Sequence, residues 1–162
     1  MAVKCRGVPF NPPRSFQQAL QLIWFVHVYF HIEVCTTANG FGRFDQYMWP
    51  FYEKDVLIEK NITKDEALEM LECFYLKACE VFEVRDKWYA TSFAGYPMWE
   101  LLVVGGQTPE GEDATNELSY LCLDAASELQ TTQPVMAVRV WEGTPEALIR
   151  KGCKMIQEGQ AN

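Results

Sequence analysis

The sequence predicts a helix-rich α/β fold that contains about two or three strands. Two short, continuously apolar runs, ELLVVGG at 100–106 and PVMAVRV at 134–140, are typical of buried strands. A helical pattern follows each run, and the order strand, helix, strand, helix predicts parallel strands in one sheet. Because two strands alone do not form a stable sheet, we expect both units to belong to a larger sheet or barrel.

The first predicted helix follows a proline-rich lead-in, VPFNPPRSF, which favours an extended backbone. Ser15 is a candidate N-cap, and Gln18 stands three residues later, where it would complete a capping box. The helix is predicted from about Phe16 to Glu33. Its sequence is apolar almost all round, so we expect it to be buried on several sides.

Two further helices are predicted before the strands. Gly40 and Gly42 interrupt the chain, and a short helix or turn, RFDQYMW, is expected to end near Pro50. Thr63 and Glu66 form a second capping box. It opens a long helix, KDEALEMLECFYLKACEVFEV, whose apolar residues recur at helical spacing.

The helices after the two strands have recognisable ends. The segment DATNELSYLCLDAASELQ is predicted to be a helix capped by Asp113. For the last helix, PEALIRKGCKMIQE, we expect Thr144 as N-cap, Pro145 at the first helical position and Gly159 just past the end.

Composition excludes several classes of protein. A chain of 162 residues with 49% hydrophobic residues has the size and core of one domain. Its net charge is −8 and it has no basic run, which argues against a nucleic-acid partner. The one long apolar segment, residues 19–34, is interrupted by polar residues and is too short to span a membrane. Six cysteines without a CxxC motif indicate reduced thiols and a cytoplasmic location.

His27 and His31 are the first candidates for site chemistry. They stand four residues apart, so they lie on one face of the first helix, with Glu33 and Cys35 close in sequence. However, the HExxH pattern of zinc proteases is absent and the chain has no third histidine. We therefore assign no metal here and interpret both as core or interface histidines; the alternative is a small metal protein that binds its ion through His27 and His31.

Two other segments are interpreted as structural. The loop VVGGQTPEGEDATN has a strand–glycine–helix order, but it lacks both the P-loop and the GxGxxG spacing, and its acidic residues would repel a phosphate. Arg43 and Asp45 are two residues apart, do not face each other on a helix, and are each expected to find a separate partner at a domain corner.

Several stretches, taken in order, resemble the glycyl radical enzymes, which are the pyruvate formate-lyase-like enzymes. The most specific are GRFDQYMWP and DATNELSYL. Others are VPFNPPRSFQQALQLIWF, ITKDEALEML, GYPMWELLVVGG and QPVMAVRV. The resemblance extends over nearly the whole chain, and 1–162 is interpreted as a partial domain of this family rather than a complete one.

The resemblance implies a ten-stranded α/β barrel in a much longer polypeptide. It also implies a radical lyase, decarboxylase or acyltransferase of anaerobic metabolism that acts on a small-molecule substrate. A glycyl radical, installed by a separate activase that uses S-adenosylmethionine and an iron–sulfur cluster, passes to a cysteine, and the thiyl radical takes hydrogen from the substrate. The complete enzyme is expected to be a homo-oligomer.

This sequence departs from the family pattern in its catalytic parts. It contains no Cys-Val-Glu or Cys-Cys loop and no RVAGY-type radical motif. We therefore expect an internal piece with no catalytic residue and no cofactor of its own, inactive alone. The alternative is an autonomous interaction module derived from the flank of the barrel.

Pocket residues follow from the resemblance alone. Relatives that dehydrate diols place a His-Ser pair that contacts substrate hydroxyls where this sequence has Thr37 and Ala38. Their replacement argues against a polyol and favours a more apolar substrate such as an arylacetate. Phe93 and Tyr96 approximate another cavity-lining position. The two specific motifs contribute structural positions: Gly42, Arg43, Asp45, Gln46, Asn116 and Glu117.

Overall fold

The computed structural model of the chain describes residues 7–8, 10–34, 38–81, 86–92 and 99–159. Within them the helices are α1 (Phe16–Val34), α2 (Phe44–Tyr52), α3 (Lys64–Glu80), α4 (Lys87–Ser92), α5 (Glu117–Leu129) and α6 (Glu146–Gln157), and a π-helical segment spans Glu53–Ile58. The strands are β1 (Gly42–Arg43), β2 (Leu101–Gly105) and β3 (Val135–Arg139).

The three strands form one parallel sheet in the order β1-β2-β3. Gly42 lies opposite Leu102 on one side of the central strand, and Leu102 lies opposite Met136 on the other. The predicted parallel pairing of the two apolar runs is confirmed. The strand after Gly40 was not predicted from its own residues, because two residues carry no readable alternation.

The two faces of the central strand differ. Leu102 and Val104 are fully buried, and the helices α2 and α5 pack against this strand. Leu101, whose side chain points to the opposite face, is 41% exposed. The helical layer therefore covers the face of Leu102 and Val104.

The first helix is buried along only part of its length. Phe16, Ala19 and Leu20 lie in the core, as expected. Towards its end, Tyr29 is 59% exposed and Ile32 is 74% exposed. The prediction of burial on several sides therefore holds for the first two turns and not for the last two.

The predicted N-caps of α1 and α3 are largely confirmed. The Ser15 hydroxyl accepts a hydrogen bond from the Gln18 amide at 3.3 Å, although the Gln18 side chain accepts from Arg14 instead of closing the box. Thr63 and Glu66 form the complete capping box. The helix ends at Glu80, because Val81 is extended; residues 82–84, which were also predicted to be helical, lie outside the described residues.

The prediction that a helix ends near Pro50 is wrong. Helix α2 passes through Pro50 to Tyr52, and the chain then continues into the π-helical segment. A proline removes one backbone hydrogen bond. That loss is offset because Phe44, Met48 and Tyr52, spaced four apart, are fully buried on one face of the helix.

Two other predicted caps are also wrong. Asp113 forms an antiparallel bridge with Gln107, so the chain is still extended there, and Asn116 caps α5. The Thr144 hydroxyl accepts a hydrogen bond from the Trp141 amide and does not cap α6, which begins at Glu146. In both places the residue that the local sequence predicts as a helix cap forms a contact within the preceding loop instead.

Gly159 follows the last helix with φ +88°, as predicted for a C-terminal glycine. Among the described residues, no helix combines the length and apolar character that crossing a bilayer requires.

Candidate functional site

Asp45 lies at the centre of a polar cluster at the carboxyl end of β2. The side chain is fully buried in the first turn of α2. Its Oδ2 atom accepts hydrogen bonds from the Gly105 amide at 2.7 Å and from the Ser119 hydroxyl at 2.5 Å. One carboxyl group thus connects α2, the end of β2 and the first turn of α5.

Burial raises the pKa of Asp45 above its ordinary value, and the hydrogen bonds from Gly105 and Ser119 oppose that rise. The nearby Arg43 guanidinium opposes it further. An unpaired carboxylate would be strongly disfavoured here, so the donors around it are what make its burial tolerable.

Arg43 and Gln46 fasten the same corner from the outside. Arg43 donates from Nη2 to the Gly105 carbonyl at 3.1 Å, while Gln46 donates from Nε2 to the Ala114 carbonyl at 2.7 Å. Arg43 and Asp45 therefore bind different atoms of one residue, Gly105. The prediction of a separate partner for each side chain is therefore only partly right, because both side chains contact Gly105.

The second motif completes the cluster. Asn116 caps α5 and also donates from Nδ2 to the Asp45 carbonyl at 3.2 Å. Glu117 accepts from the Tyr52 hydroxyl at 3.1 Å and lies 3.3 Å from the Lys64 ammonium. The contacts of Glu117 are therefore structural. Gly42, at the start of β1, has a positive φ of +64°. The motif residues join the two loops at the end of the sheet.

The predicted pocket residues are mostly outside the part of the chain that the structure describes. Thr37, Phe93 and Tyr96 all fall in the undescribed segments. Ala38 is described: it is exposed and forms a parallel bridge with Trp99 just before β2. Ala38 therefore lies at the amino end of the sheet, opposite to the Asp45 cluster.

A second polar cluster, formed by His27, His31 and Glu100, lies at that amino end. The sequence indicates only its two histidines. Nε2 of His31 is 3.0 Å from Nε2 of His27, as their spacing predicts. Oε1 of Glu100 is 2.7 Å from Nε2 of His27 and 3.5 Å from Nε2 of His31. Glu100 comes from 73 residues away in sequence, so no local pattern indicates it, and Glu33 is exposed instead.

The remaining candidates are occupied by structural contacts. In the glycine-rich loop, the Thr108 amide donates to Glu112 and the Ala114 amide donates to Gly106, so these amides are not aimed at a phosphate. Cys122 is fully buried, and burial raises the pKa of its thiol. Cys73, Cys79 and Cys153 are also free thiols.

A single protein family matches the whole chain. Residues 1–162 match the family described as pyruvate formate lyase-like. An isethionate sulfite-lyase from Nitratidesulfovibrio vulgaris is 43% identical over 161 residues, which are 98% of this chain and 19% of that protein.

Two solved structures have the same fold over the same stretch. The glycerol-bound B12-independent glycerol dehydratase from Clostridium butyricum aligns with a TM-score of 0.90 at 40% identity. A glycyl radical enzyme from Archaeoglobus fulgidus aligns with a TM-score of 0.92 at 34% identity. Each match covers 98% of this chain and 20% of the other chain. The chain thus spans about a fifth of the length of the proteins it matches.

Proposed function

Because the chain belongs to the pyruvate formate lyase-like family of glycyl radical enzymes, we propose that it forms part of the wall of their catalytic barrel. In this proposal residues 1–162 are a partial domain. They contribute to radical cleavage of a C–C, C–N or C–O bond, or to acyl transfer, only within a longer polypeptide.

The arrangement of the sheet is the observation that supports this proposal best. Three parallel strands carry helices on the face of Leu102 and Val104, while Leu101 and Trp99 remain more than 40% exposed. In an α/β barrel, helices surround the strands and the opposite face lines the interior. We infer that the exposed face of this sheet is directed to the substrate cavity.

The chemistry is expected to come from elsewhere in the polypeptide. The sequence contains neither a Cys-Val-Glu loop nor an RVAGY-type motif, so the 162 residues alone are proposed to be inactive. An activating enzyme would install the glycyl radical. The free thiols agree with a cytoplasmic, reducing location, and the complete enzyme is proposed to be a homo-oligomer.

The substrate proposal rests on residues 37 and 38. Thr37, Ala38, Phe93 and Tyr96 are proposed to line the pocket, and the side chain of the exposed Ala38 has no hydrogen-bonding group. A buried substrate hydroxyl without a partner would cost about 1–3 kcal/mol. This favours an apolar substrate, of which an arylacetate undergoing decarboxylation is the example we propose.

A chimaera tests the proposed role. The 162 residues would replace the matching stretch of the Clostridium butyricum glycerol dehydratase, and the purified chimaera would be activated under anaerobic conditions. We expect electron paramagnetic resonance to detect a glycyl radical in the chimaera and none in the 162-residue chain. Turnover by the isolated chain would contradict the proposal, as would a folded chimaera that never acquires the radical.

Substrate preference is measured on the same chimaera. The test variant carries Thr37→His and Ala38→Ser, which introduce the His-Ser pair implied for diol-cleaving relatives, and the parent chimaera is its control. We expect this variant to dehydrate glycerol faster than the parent chimaera. Equal rates would argue against a specificity role for these two positions without affecting the barrel proposal.

A continuous core supports the second candidate, an autonomous interaction module. Phe44, Met48 and Tyr75 are fully buried within the chain itself. A module of this kind would elute as a defined oligomer and bind little hydrophobic dye. The barrel segment should instead bind dye through its exposed apolar residues, so size-exclusion chromatography with a dye titration separates the two.

A further inference from the structure

His27, His31 and Glu100 bring three possible ligand atoms together at the amino end of the sheet. The three separations are 2.7, 3.0 and 3.5 Å. His27 is 3% exposed and Glu100 is fully buried. The second carboxyl oxygen of Glu100 is buried and has no hydrogen-bond partner among the described residues. A buried polar atom of this kind normally has a partner, and a metal ion bound by both carboxyl oxygens of Glu100 would supply one.

Protons alone do not satisfy all three contacts. A neutral imidazole Nε2 either carries a proton or presents a lone pair. When Nε2 of His27 donates to Glu100, it has no lone pair for an N–H of His31. When it accepts from His31, its lone pair faces the carboxyl oxygen at 2.7 Å. A cation, in contrast, is bound by three lone pairs at once.

The spacing also suits a metal ion. A point about 2.0–2.1 Å from all three atoms lies about 1 Å off the plane that they define. This distance is the bond length of zinc to imidazole nitrogen and carboxylate oxygen. Two imidazoles and one carboxylate are typical ligands of zinc or iron(II), whereas Mg²⁺ and Ca²⁺ favour oxygen ligands. We propose that His27, His31 and Glu100 bind one divalent first-row transition-metal ion, with zinc as the probe.

The surrounding residues fit the requirements of such a site. The two histidines are fixed by one helix, and Glu100 is held through its backbone, which donates to the Gln133 side chain and accepts from the Val135 amide. Asn39 lies 3.3 Å from Nδ1 of His27. With its amide turned so that Oδ1 accepts the Nδ1 proton, Asn39 leaves Nε2 of His27 free to bind the metal.

The ion would join parts of the fold that are distant in sequence. His27 and Asn39 also line a cleft of about 320 Å³ together with Phe30 and Tyr47, which offers a route for the ion from solvent. Bound there, the metal would fasten α1 to the start of β2. This inference does not depend on the radical chemistry proposed above.

Zinc binding to the chain is the direct test. The protein would carry Cys73→Ser and Cys153→Ser, which remove the exposed thiols of the described residues, together with Cys5→Ser and Cys35→Ser, so that none of these four thiols binds zinc on its own. It would be stripped with a chelator and titrated with zinc against a chromophoric competitor. We expect one equivalent to bind and to raise the thermal midpoint, while Mg²⁺ at the same concentration does neither.

Variants assign the binding to the three residues. His31→Ala and Glu100→Gln should each weaken zinc binding by at least about tenfold, the lower limit found when only an outer-shell partner is lost. The matched control is Glu33→Gln, which removes an exposed carboxylate from the same helix. It should bind zinc as the parent does.

Cobalt(II) gives a readout independent of stability. Bound cobalt should show visible d–d absorption without the near-ultraviolet charge-transfer band of a thiolate ligand. Binding that survives His31→Ala, a thiolate band, or no binding stronger than that of the competitor would each overturn the proposal. His31→Ala keeps the test decisive if the buried Glu100→Gln variant fails to fold.

Discussion

At the scale of single residues, Asp45 joins α2, the end of β2 and α5 through one buried carboxyl group. Replacing it with alanine leaves the Gly105 amide and the Ser119 hydroxyl without their acceptor. The unsatisfied buried Gly105 amide costs about 1–3 kcal/mol, and the Ser119 hydroxyl, which keeps a longer contact to Asn116 Oδ1, loses a hydrogen bond worth about 1 kcal/mol. We therefore expect Asp45→Ala to lower the free energy of unfolding by about 2–4 kcal/mol. Asp45→Asn keeps one oxygen acceptor and should cost less. Urea denaturation of both variants checks the order, and equal losses would contradict it.

The same carboxyl group should give the stability a specific pH dependence. Burial holds the pKa of Asp45 in the folded chain above its ordinary value of 3.8, so the folded state favours the protonated form. Its contribution is therefore fully present below pH 3.8 and is lost as pH rises through the folded-state pKa.

The measurement for this second prediction is the difference between wild-type and Asp45→Asn unfolding free energies across pH. Because Asn does not titrate, the wild type should lose stability relative to the variant as pH rises from about 4 to neutrality. A difference that stays constant, or one with the opposite slope, would show that Asp45 is not held in this way.

At the scale of helices, two capping boxes provide a matched comparison. Thr63 caps α3 at an exposed position, and its loss in Thr63→Ala should cost about 1 kcal/mol. Asn116 caps α5 and also donates to the Asp45 carbonyl. Asn116→Ala should therefore destabilise the chain more than Thr63→Ala does. Thermal unfolding followed by circular dichroism measures both, and equal effects would mean that the bond to Asp45 contributes nothing.

Helices and strands were predicted where a local pattern determines them. The apolar runs at 101–105 and 135–139 and the Thr63–Glu66 box needed no distant information. The wrong helix ends share one cause, because a contact outside the helix pattern decided each of them. Packing of the buried face of α2 extends that helix past Pro50, and Asp113 forms a bridge with Gln107 in the same loop instead of capping α5.

The same distinction applies to the sites. The spacing of His27 and His31 is readable as one helix face, but Glu100 joins them only through the packing of α1 against the start of β2. Likewise, the motif residues Arg43 and Asp45 could be recognised by resemblance. Their common attachment to Gly105 required the three-dimensional structure.

At the scale of the whole molecule, Leu101 and Leu102 separate the buried core of this chain from the face that we propose lines the interior of a barrel. They are neighbours on β2 but point to opposite faces: Leu101 is 41% exposed and Leu102 is fully buried. In the isolated chain, Leu102→Ala should cost about 2–5 kcal/mol, while Leu101→Ala should change the unfolding free energy by less than about 0.5 kcal/mol.

In the full-length chimaera the two substitutions should destabilise the protein by similar amounts, because a closed barrel buries the face of Leu101 as well. We expect Leu101→Ala to lower the thermal midpoint of the chimaera while leaving that of the 162-residue chain nearly unchanged, and Leu102→Ala to lower both. Differential scanning calorimetry on the four proteins gives the comparison. If Leu101→Ala were harmless in the chimaera too, the exposed face would not line the barrel interior, and the interaction module would be the better account of the chain.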